Sequence, residues 1–254
     1  MLTADCDALR EKMLDNRSSK PLRAGHAANM PLGSALQPVQ HSTMHEKVYG
    51  EIRQALMAGQ FAPGQKITVR ELAEVLGVSP MPVREALRRL EAEHGLVANG
   101  RTMAVPLMRQ TDYQELCDIR ISLEGMATEW AAENITPTEL EELKAVMEGL
   151  ERDAIEPNIE GLLRLNREFH MLVYRASRKP LLIDMIQSLW LRVGPFISYA
   201  VRTDIYTSFA RHNPRHPHVL AYHALAEGNG KQARSAIAAN IRRSAKIIVK
   251  HLPA

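Results

Sequence analysis

The sequence predicts a mainly α protein, with an N-terminal winged helix-turn-helix followed by an all-α helical bundle of six or seven helices. Three observations carry this. Residues 41–106 hold three short stretches of helical periodicity, separated by tight-turn residues and closed by two apolar runs that flank Asn99-Gly100. After Pro106 every segment has a period near 3.6 residues or none. The length of 254 residues suits two modest domains better than one large one.

The elements follow in order. Residues 1–40 show no sustained period and contain Ser18, Ser19, Pro21, Gly25, Pro31, Gly33 and Pro38, which reads as a mobile N-terminal arm. Val48, Ile52, Ala55 and Leu56 fall at helical spacing, and Gly59 with Pro63-Gly64 ends that helix. Thr68 is the expected N-cap of a second, short helix, with Glu71 completing a capping box before Leu72, Ala73, Val75 and Leu76. Gly77-Val78-Ser79 supplies a turn in which Ser79 can cap the next helix, and Pro82 sits in a first turn where its missing N–H has no intrahelical partner. The third helix runs through Val83, Ala86, Leu87 and Leu90. Asn99-Gly100 is expected as the two-residue turn of a β-wing, because both residues accept positive φ. The winged unit is placed at 41–106, a linker at 107–111 and the bundle at 112–254. Within the bundle, Leu116, Ile119, Leu123, Met126 and Trp130 mark one helix, and Thr136-Pro137 opens another through Leu140, Leu143 and Leu150. Further helices read at about 157–176, 181–201, 215–227 and 230–251.

Composition narrows the function. Apolar residues make up 45% and aromatics only 5%, so the core is aliphatic and wholesale disorder is excluded. Cys6 and Cys117 are far apart with no CxxC, which removes a disulfide scaffold and a four-cysteine zinc site and suits a reducing cytoplasm. No apolar run of signal-peptide or membrane-spanning length is read, so secretion and membrane insertion are not expected. The net charge of +3 is small, but residues 41–110 hold nine Lys and Arg against seven Asp and Glu, while 111–254 hold eighteen of each. The surplus lies in the arm and the winged unit. In a helix-turn-helix the second helix of the motif enters the major groove, so helix 80–93 is the expected reader of DNA. Arg84, Arg88 and Arg89 lie on it. Arg84, nearest its N-terminus, is the expected base or phosphate contact; the plainer reading has these arginines pairing with Glu85, Glu91 or Glu93.

The residues then carry a resemblance. Arg70-Glu71-Leu72-Ala73, Gly77-Val78-Ser79 and Pro82-Val83-Arg84-Glu85-Ala86-Leu87 resemble the DNA-binding domain of GntR-family transcriptional regulators over residues 43–106. From Asp112 onward, through Asp118, Arg120, Leu123-Glu124, Asn166 and His170, the chain is similar to the FCD effector domain of the FadR-like branch. The resemblance implies a cytoplasmic, homodimeric regulator, expected to be a repressor, that binds a palindromic operator in double-stranded DNA. It places DNA contacts on Arg70, Ser79, Met81, Arg84 and Gly100. Pro80 stands where many members have arginine, and His94 looks like an extra residue able to shift the wing.

The same resemblance points to Asn166, His170, His218 and Asn240. Asn166 and His170 are four apart on one helix, so their side chains share a face. FCD domains commonly hold a divalent metal (zinc, nickel or manganese) with one Asp or Asn and three histidines. His170, His218 and Asn166 are the candidate ligands, and Asn240 takes the place of the third histidine. Amide oxygens compensate little of a dication's charge, so the alternative is that both histidines are satisfied polar groups in an effector cavity. Arg120 has two readings as well. Its fork suits the carboxylate of a small organic-acid effector, held together with Asn166, His170, His218 and Asn240; or it forms an ion pair with Glu124 at i+4. Trp130, Trp190, Phe196, Tyr199 and Tyr206 read as core or pocket wall, and His212, His216 and His223 carry no expected role. A helical metal-dependent hydrolase using His170 and His218 is the enzymatic alternative, and a metal-sensing regulator without an organic effector is another. No HExxH, GxSxG or glycine-rich phosphate loop supports an enzyme.

Overall fold

The structure is a computed structural model that describes residues 44–155, 158–201 and 214–254. The arm expected at 1–40, Tyr206 and His212 lie outside the described residues. Helix α1 (Met44–Met57) buries Val48, Ile52, Leu56 and Met57. It ends at Gly59, whose φ of +72° is a conformation that glycine adopts without steric cost. Strand β1 (Lys66–Ile67), to which the sequence reading assigned no element, pairs with the second strand of the wing. Helix α2 (Val69–Leu76) starts as expected: the Thr68 hydroxyl accepts from the Glu71 N–H at 3.2 Å and donates to the Glu71 carboxylate at 2.7 Å. Gly77, at φ +64°, closes it.

Helix α3 (Pro80–Ala92) departs from expectation at both ends. Ser79 occupies the N-cap with extended backbone, yet its side chain makes no capping bond. A cap bonds the second or third helical N–H, and Pro82 at the third position removes one of those two donors. At the other end His94 lies at φ +61°, its N–H bonded to the Glu91 carbonyl at 2.9 Å and the Gly95 N–H to the Leu90 carbonyl at 2.9 Å. This is the paired bond pattern of a left-handed helix stop, so the extra residue is absorbed into the cap of α3. The wing is β2 (Val97–Asn99) and β3 (Thr102–Ala104), in a sheet of order β1-β3-β2. Asn99 pairs with Thr102, so the turn residues are Gly100 and Arg101, one position later than expected, and only Gly100 has positive φ. A turn that needs a single positive φ leaves Asn99 free to stay in the ladder.

The bundle has six α-helices among the described residues: α4 (Gln110–Asn134), α5 (Pro137–Ile155), α6 (Ile159–Ala176), α7 (Pro180–Ala200), α8 (Pro217–Ala226) and α9 (Gly230–Ile248), whose end tightens into a 3₁₀ turn over Val249–His251. Thr136 and Glu139 cap α5 reciprocally, and Asn158 and Asn229 cap α6 and α9. Helix α4 is the centre, packed by α6, α7 and α9. Its start is tied to the C-terminal segment, since Gln110 donates to the carbonyls of Leu252 and Pro253.

Helix α7 belongs to both units. By length and composition it is apolar enough to cross a membrane, which the sequence reading did not anticipate, but Leu182, Ile186, Trp190, Val193 and Phe196 are buried within the fold. On an adjoining face it meets the winged unit at backbone distance. A Cβ on Gly194 would lie 2.3 Å from the Leu56 carbonyl oxygen and 2.7 Å from Met57 Cα; one on Gly59 would lie 2.6 Å from the Gly194 oxygen. Gly95 packs against Leu191 in the same way, and Arg53 donates to the Gln187 amide oxygen at 3.1 Å.

Candidate functional site

The fold presents two regions with chemistry. The first is the outer face of the winged unit. Arg70 at the start of α2, Ser79 and Met81 at the start of α3, Arg84 one turn on, and Gly100 at the wing tip are all exposed. Neither Arg84 nor Arg88 forms a salt bridge among the described residues. Arg89 is different. It pairs with Glu46 at 3.2 Å and Glu93 at 3.3 Å, and its guanidinium lies 3.7 Å over the Tyr49 ring, whose hydroxyl donates to Glu93. It holds α3 against α1, so the plainer reading of these arginines holds for Arg89. Arg101, beside Gly100 in the wing turn and equally exposed, is a basic residue that sequence reasoning missed because the turn was placed one residue early.

The second region is a polar knot at the centre of the bundle. Helix α4 contributes Arg120 and Glu124, α6 contributes Asn166, His170 and Tyr174, α7 Trp190, α8 His216 and His218, and α9 Asn240; all are buried. The Glu124 carboxylate, fully shielded from solvent, accepts from Arg120 Nε at 2.6 Å and Nη2 at 3.3 Å, from the Trp190 indole at 3.2 Å, and from the Tyr174 hydroxyl. A buried ion pair needs this level of satisfaction to offset its desolvation. Burial, the largest single influence, pulls the Arg120 pKa down, but the Glu124 charge and hydrogen bond, with Tyr113, together outweigh it and hold Arg120 cationic. The hydroxyl of Tyr174 is pushed well above its ordinary range by burial and then by Glu124.

Tyr174 also meets His170 Nδ1 at 3.0 Å. His170 Nε2 and His218 Nε2 each lie 3.2 Å from Asn240 Nδ2. His218 Nδ1 faces His216 Nδ1 at 3.2 Å, and the two rings stack. Burial, then the Arg120 charge, lowers the His170 pKa to about 3. Burial, then His216 and His170, takes His218 well below its usual value. Both imidazoles are neutral at physiological pH. Beside them is a cavity of about 20 Å³, walled by Tyr113, Arg120, Asn166, His170, Trp190 and Asn240 among others. On that wall the buried Tyr113 hydroxyl makes no hydrogen bond to a nitrogen or oxygen and interacts with the Cys117 thiol. The volume holds a water or two and no organic ligand without movement.

The arrangement brings all five expected effector residues together and settles which of Arg120's partners is present: the Glu124 pair is formed. His216, given no role from sequence, is buried at the N-cap of α8 and faces His218; its neighbours in a Pro-rich stretch had suggested a loop. His223 is exposed. As a metal pocket the donor set fails. Among the described residues no three His, Cys, Asp or Glu side chains are grouped to hold an ion, and both imidazole Nε2 atoms are turned to one amide nitrogen.

Comparison with known proteins decides the class. The model of bacterial regulatory proteins of the gntR family matches residues 44–102, and that of the FCD domain matches residues 115–243, half of the chain. The chain is a GntR-family transcriptional regulator with an FCD domain. It is 36% identical over 162 residues to the HTH-type transcriptional regulator McbR of Escherichia coli, covering 63% of this chain and 73% of that protein. It is 30% identical to the HTH-type transcriptional regulator LutR of Bacillus subtilis, covering 72% of this chain and 91% of that one. The solved structure of E. coli McbR/YncC superposes with a TM-score of 0.75 at 30% identity, over 82% of this chain and 98% of that one. A GntR regulator of this build binds DNA through its winged unit and is a cytoplasmic regulator, not an enzyme.

Proposed function

We propose that this regulator is a homodimeric repressor whose two winged units read the half-sites of a palindromic operator and are released by a small organic acid bound in the bundle cavity. The observation that carries the DNA part is Arg84: exposed, one turn into α3, and outside the salt-bridge network that holds Arg89. Arg84 reaches a guanine edge or phosphate, Arg70 a phosphate beside the N-terminus of α2, Ser79 and Met81 the groove, and Gly100 the backbone next to the wing. A second copy is supported by α4, where Ile119 and Met126 are exposed at helical spacing on either side of half-buried Leu123.

The acid reading rests on the donors of the cavity wall. The Glu124 pair uses Nε and Nη2 of Arg120, and a guanidinium carries five N–H groups, so it can serve a second carboxylate together with the Tyr113 hydroxyl, Asn166 and the knot around His170, His218 and Asn240. Because the cavity, at about 20 Å³, has room only for a water or two, any such ligand must push its walls apart. One wall is α7, which carries Trp190 on the cavity and Leu191 and Gly194 against the winged unit. Expansion is therefore felt by the reading head through α7 as well as through the linker near residues 106–110, and a differential affinity of a few kcal/mol between the two arrangements is enough to switch occupancy.

The test is binding to a palindromic fragment of the regulator's own promoter. Arg84→Ala should weaken specific binding about 5- to 150-fold with unchanged thermal stability; equal binding by variant and wild type would remove Arg84 from the interface. In the same assay a panel of small acids, but not their amides, should release the DNA.

A further inference from the structure

We infer that the side-chain amide of Asn240 stands at the point where two histidines would otherwise coordinate a metal, so this regulator's core is a metal-free polar knot. Proton accounting leads there. The Tyr174 hydroxyl has one hydrogen, and it points to the Glu124 carboxylate. Its contact with His170 Nδ1 at 3.0 Å must then be donated by the imidazole. A neutral His170 with its hydrogen on Nδ1 has a bare lone pair on Nε2, 3.2 Å from Asn240 Nδ2.

The second ring gives the same answer by a separate path. The backbone N–H of His218 donates to His216 Nδ1 at 3.3 Å, so His216 Nδ1 is an acceptor. His218 Nδ1, 3.2 Å from that atom, must carry the hydrogen, which again leaves Nε2 bare and 3.2 Å from Asn240 Nδ2. Two lone pairs meet one NH₂ group, and an amide nitrogen has two hydrogens to give. The two acceptors and the two hydrogens match. With no cation present, the reverse orientation of the Asn240 amide would set its oxygen against two lone pairs, so the network assigns the amide as well.

A cation at this point would have to take both Nε2 lone pairs from hydrogens that already occupy them, with the amides of Asn166 and Asn240 as the further donors among the described residues. Asn240 therefore does for two imidazoles, with no charge to compensate, what a dication does in a histidine-rich pocket. The amide is also the single group that excludes the ion. Replacing it by a carboxylate of the same shape removes both hydrogens and completes a set of two histidines and one carboxylate, a recognised divalent-metal triad.

The experiment uses the full chain, purified without a metal-affinity step from metal-replete medium. Elemental analysis of the wild type should give less than about 0.1 zinc, nickel or manganese per chain, and adding each ion should move its melting temperature by less than about 1 °C. Asn240→Asp should be less stable than wild type without metal, because a carboxylate faces two lone pairs, and should recover with about one bound ion per chain and a rise of about 5 °C or more that EDTA reverses. If Asn240→Asp does not accumulate as folded protein, Asn240→His supplies the same readout. A wild-type chain holding near-stoichiometric metal, or a folded Asn240 variant that gains none, overturns the inference. DNA release by an organic acid is scored separately, so loss of the effector reading would leave this result standing.

Discussion

Glu124 makes the sharpest demand on the bundle, and Glu124→Gln tests it. The substitution keeps shape and length and removes one charge. In the native fold that carboxylate is wholly buried and takes two hydrogen bonds from Arg120, one from Trp190 and one from Tyr174. A glutamine oxygen satisfies at most part of this set. Its NH₂ replaces the oxygen facing Tyr174 and Arg120 Nη2, or the one facing Trp190 and Arg120 Nε, and turns donors against donors. The guanidinium is left as a buried, uncompensated cation, because Glu124 is the carboxylate that acts on it. Breaking a buried pair on one side costs about 3–5 kcal/mol. For a chain of this size each kcal/mol is worth about 2–4 °C in melting temperature, so a fall of roughly 6–20 °C is expected by circular dichroism, with a matching shift in guanidinium midpoint. The reasoning is sharpened by Arg120→Met with Glu124→Leu together. Replacing both partners by apolar groups removes the charge and its desolvation at once and should cost far less than either single change. A loss under about 1 kcal/mol for Glu124→Gln, or a double variant as damaged as the two singles summed, would show that the pair does not govern the bundle as argued.

Two further outcomes follow from other parts of the molecule. Gly194→Ala places a methyl 2.3 Å from the Leu56 oxygen and 2.7 Å from Met57 Cα, where backbone cannot step aside cheaply; a loss of about 1–3 kcal/mol is expected, and effector-driven release of DNA should be blunted while DNA binding itself persists, whereas unchanged release would assign transmission to the linker alone. The buried histidines set an acid limit: their folded pKa values lie below the unfolded value near 6.5, so above it both states are neutral, and as pH falls below it the unfolded chain takes up protons that the native chain refuses. Stability should therefore be level from pH 8 to 7 and decline by about 2 kcal/mol per histidine by pH 5, measured by chemical denaturation; a flat profile over that window would mean that these rings are not held neutral.

The winged unit was legible because its signals are local. A Thr68–Glu71 cap, a left-handed Gly77 and first-turn prolines each act within four residues, so the string that contains them specifies the motif. What escaped was non-local or competitive. Strand β1 is two residues long and exists only because β3 is there to pair with it. Ser79 reads as a cap until Pro82 is counted as a missing donor. The residues of the knot were visible as types at spacings, but the partner of each was not: nothing within α6 or α8 states that both imidazoles will present Nε2 to one amide from α9, 22 and 70 residues away. Spacing could place His216 only in a loop, whereas it is buried at the head of α8, where its Nδ1 accepts from the His218 N–H and faces His218 Nδ1. The same limit hid α7. Its glycine at 194 looks like a weak point in an apolar helix until Leu56 and Met57 arrive against it, and that contact binds the reading head to the helix that also walls the cavity. The proposed coupling would run through this helix, whose two adjoining faces are committed to different units, so that a ligand widening the cavity would displace the face that holds the winged unit as well.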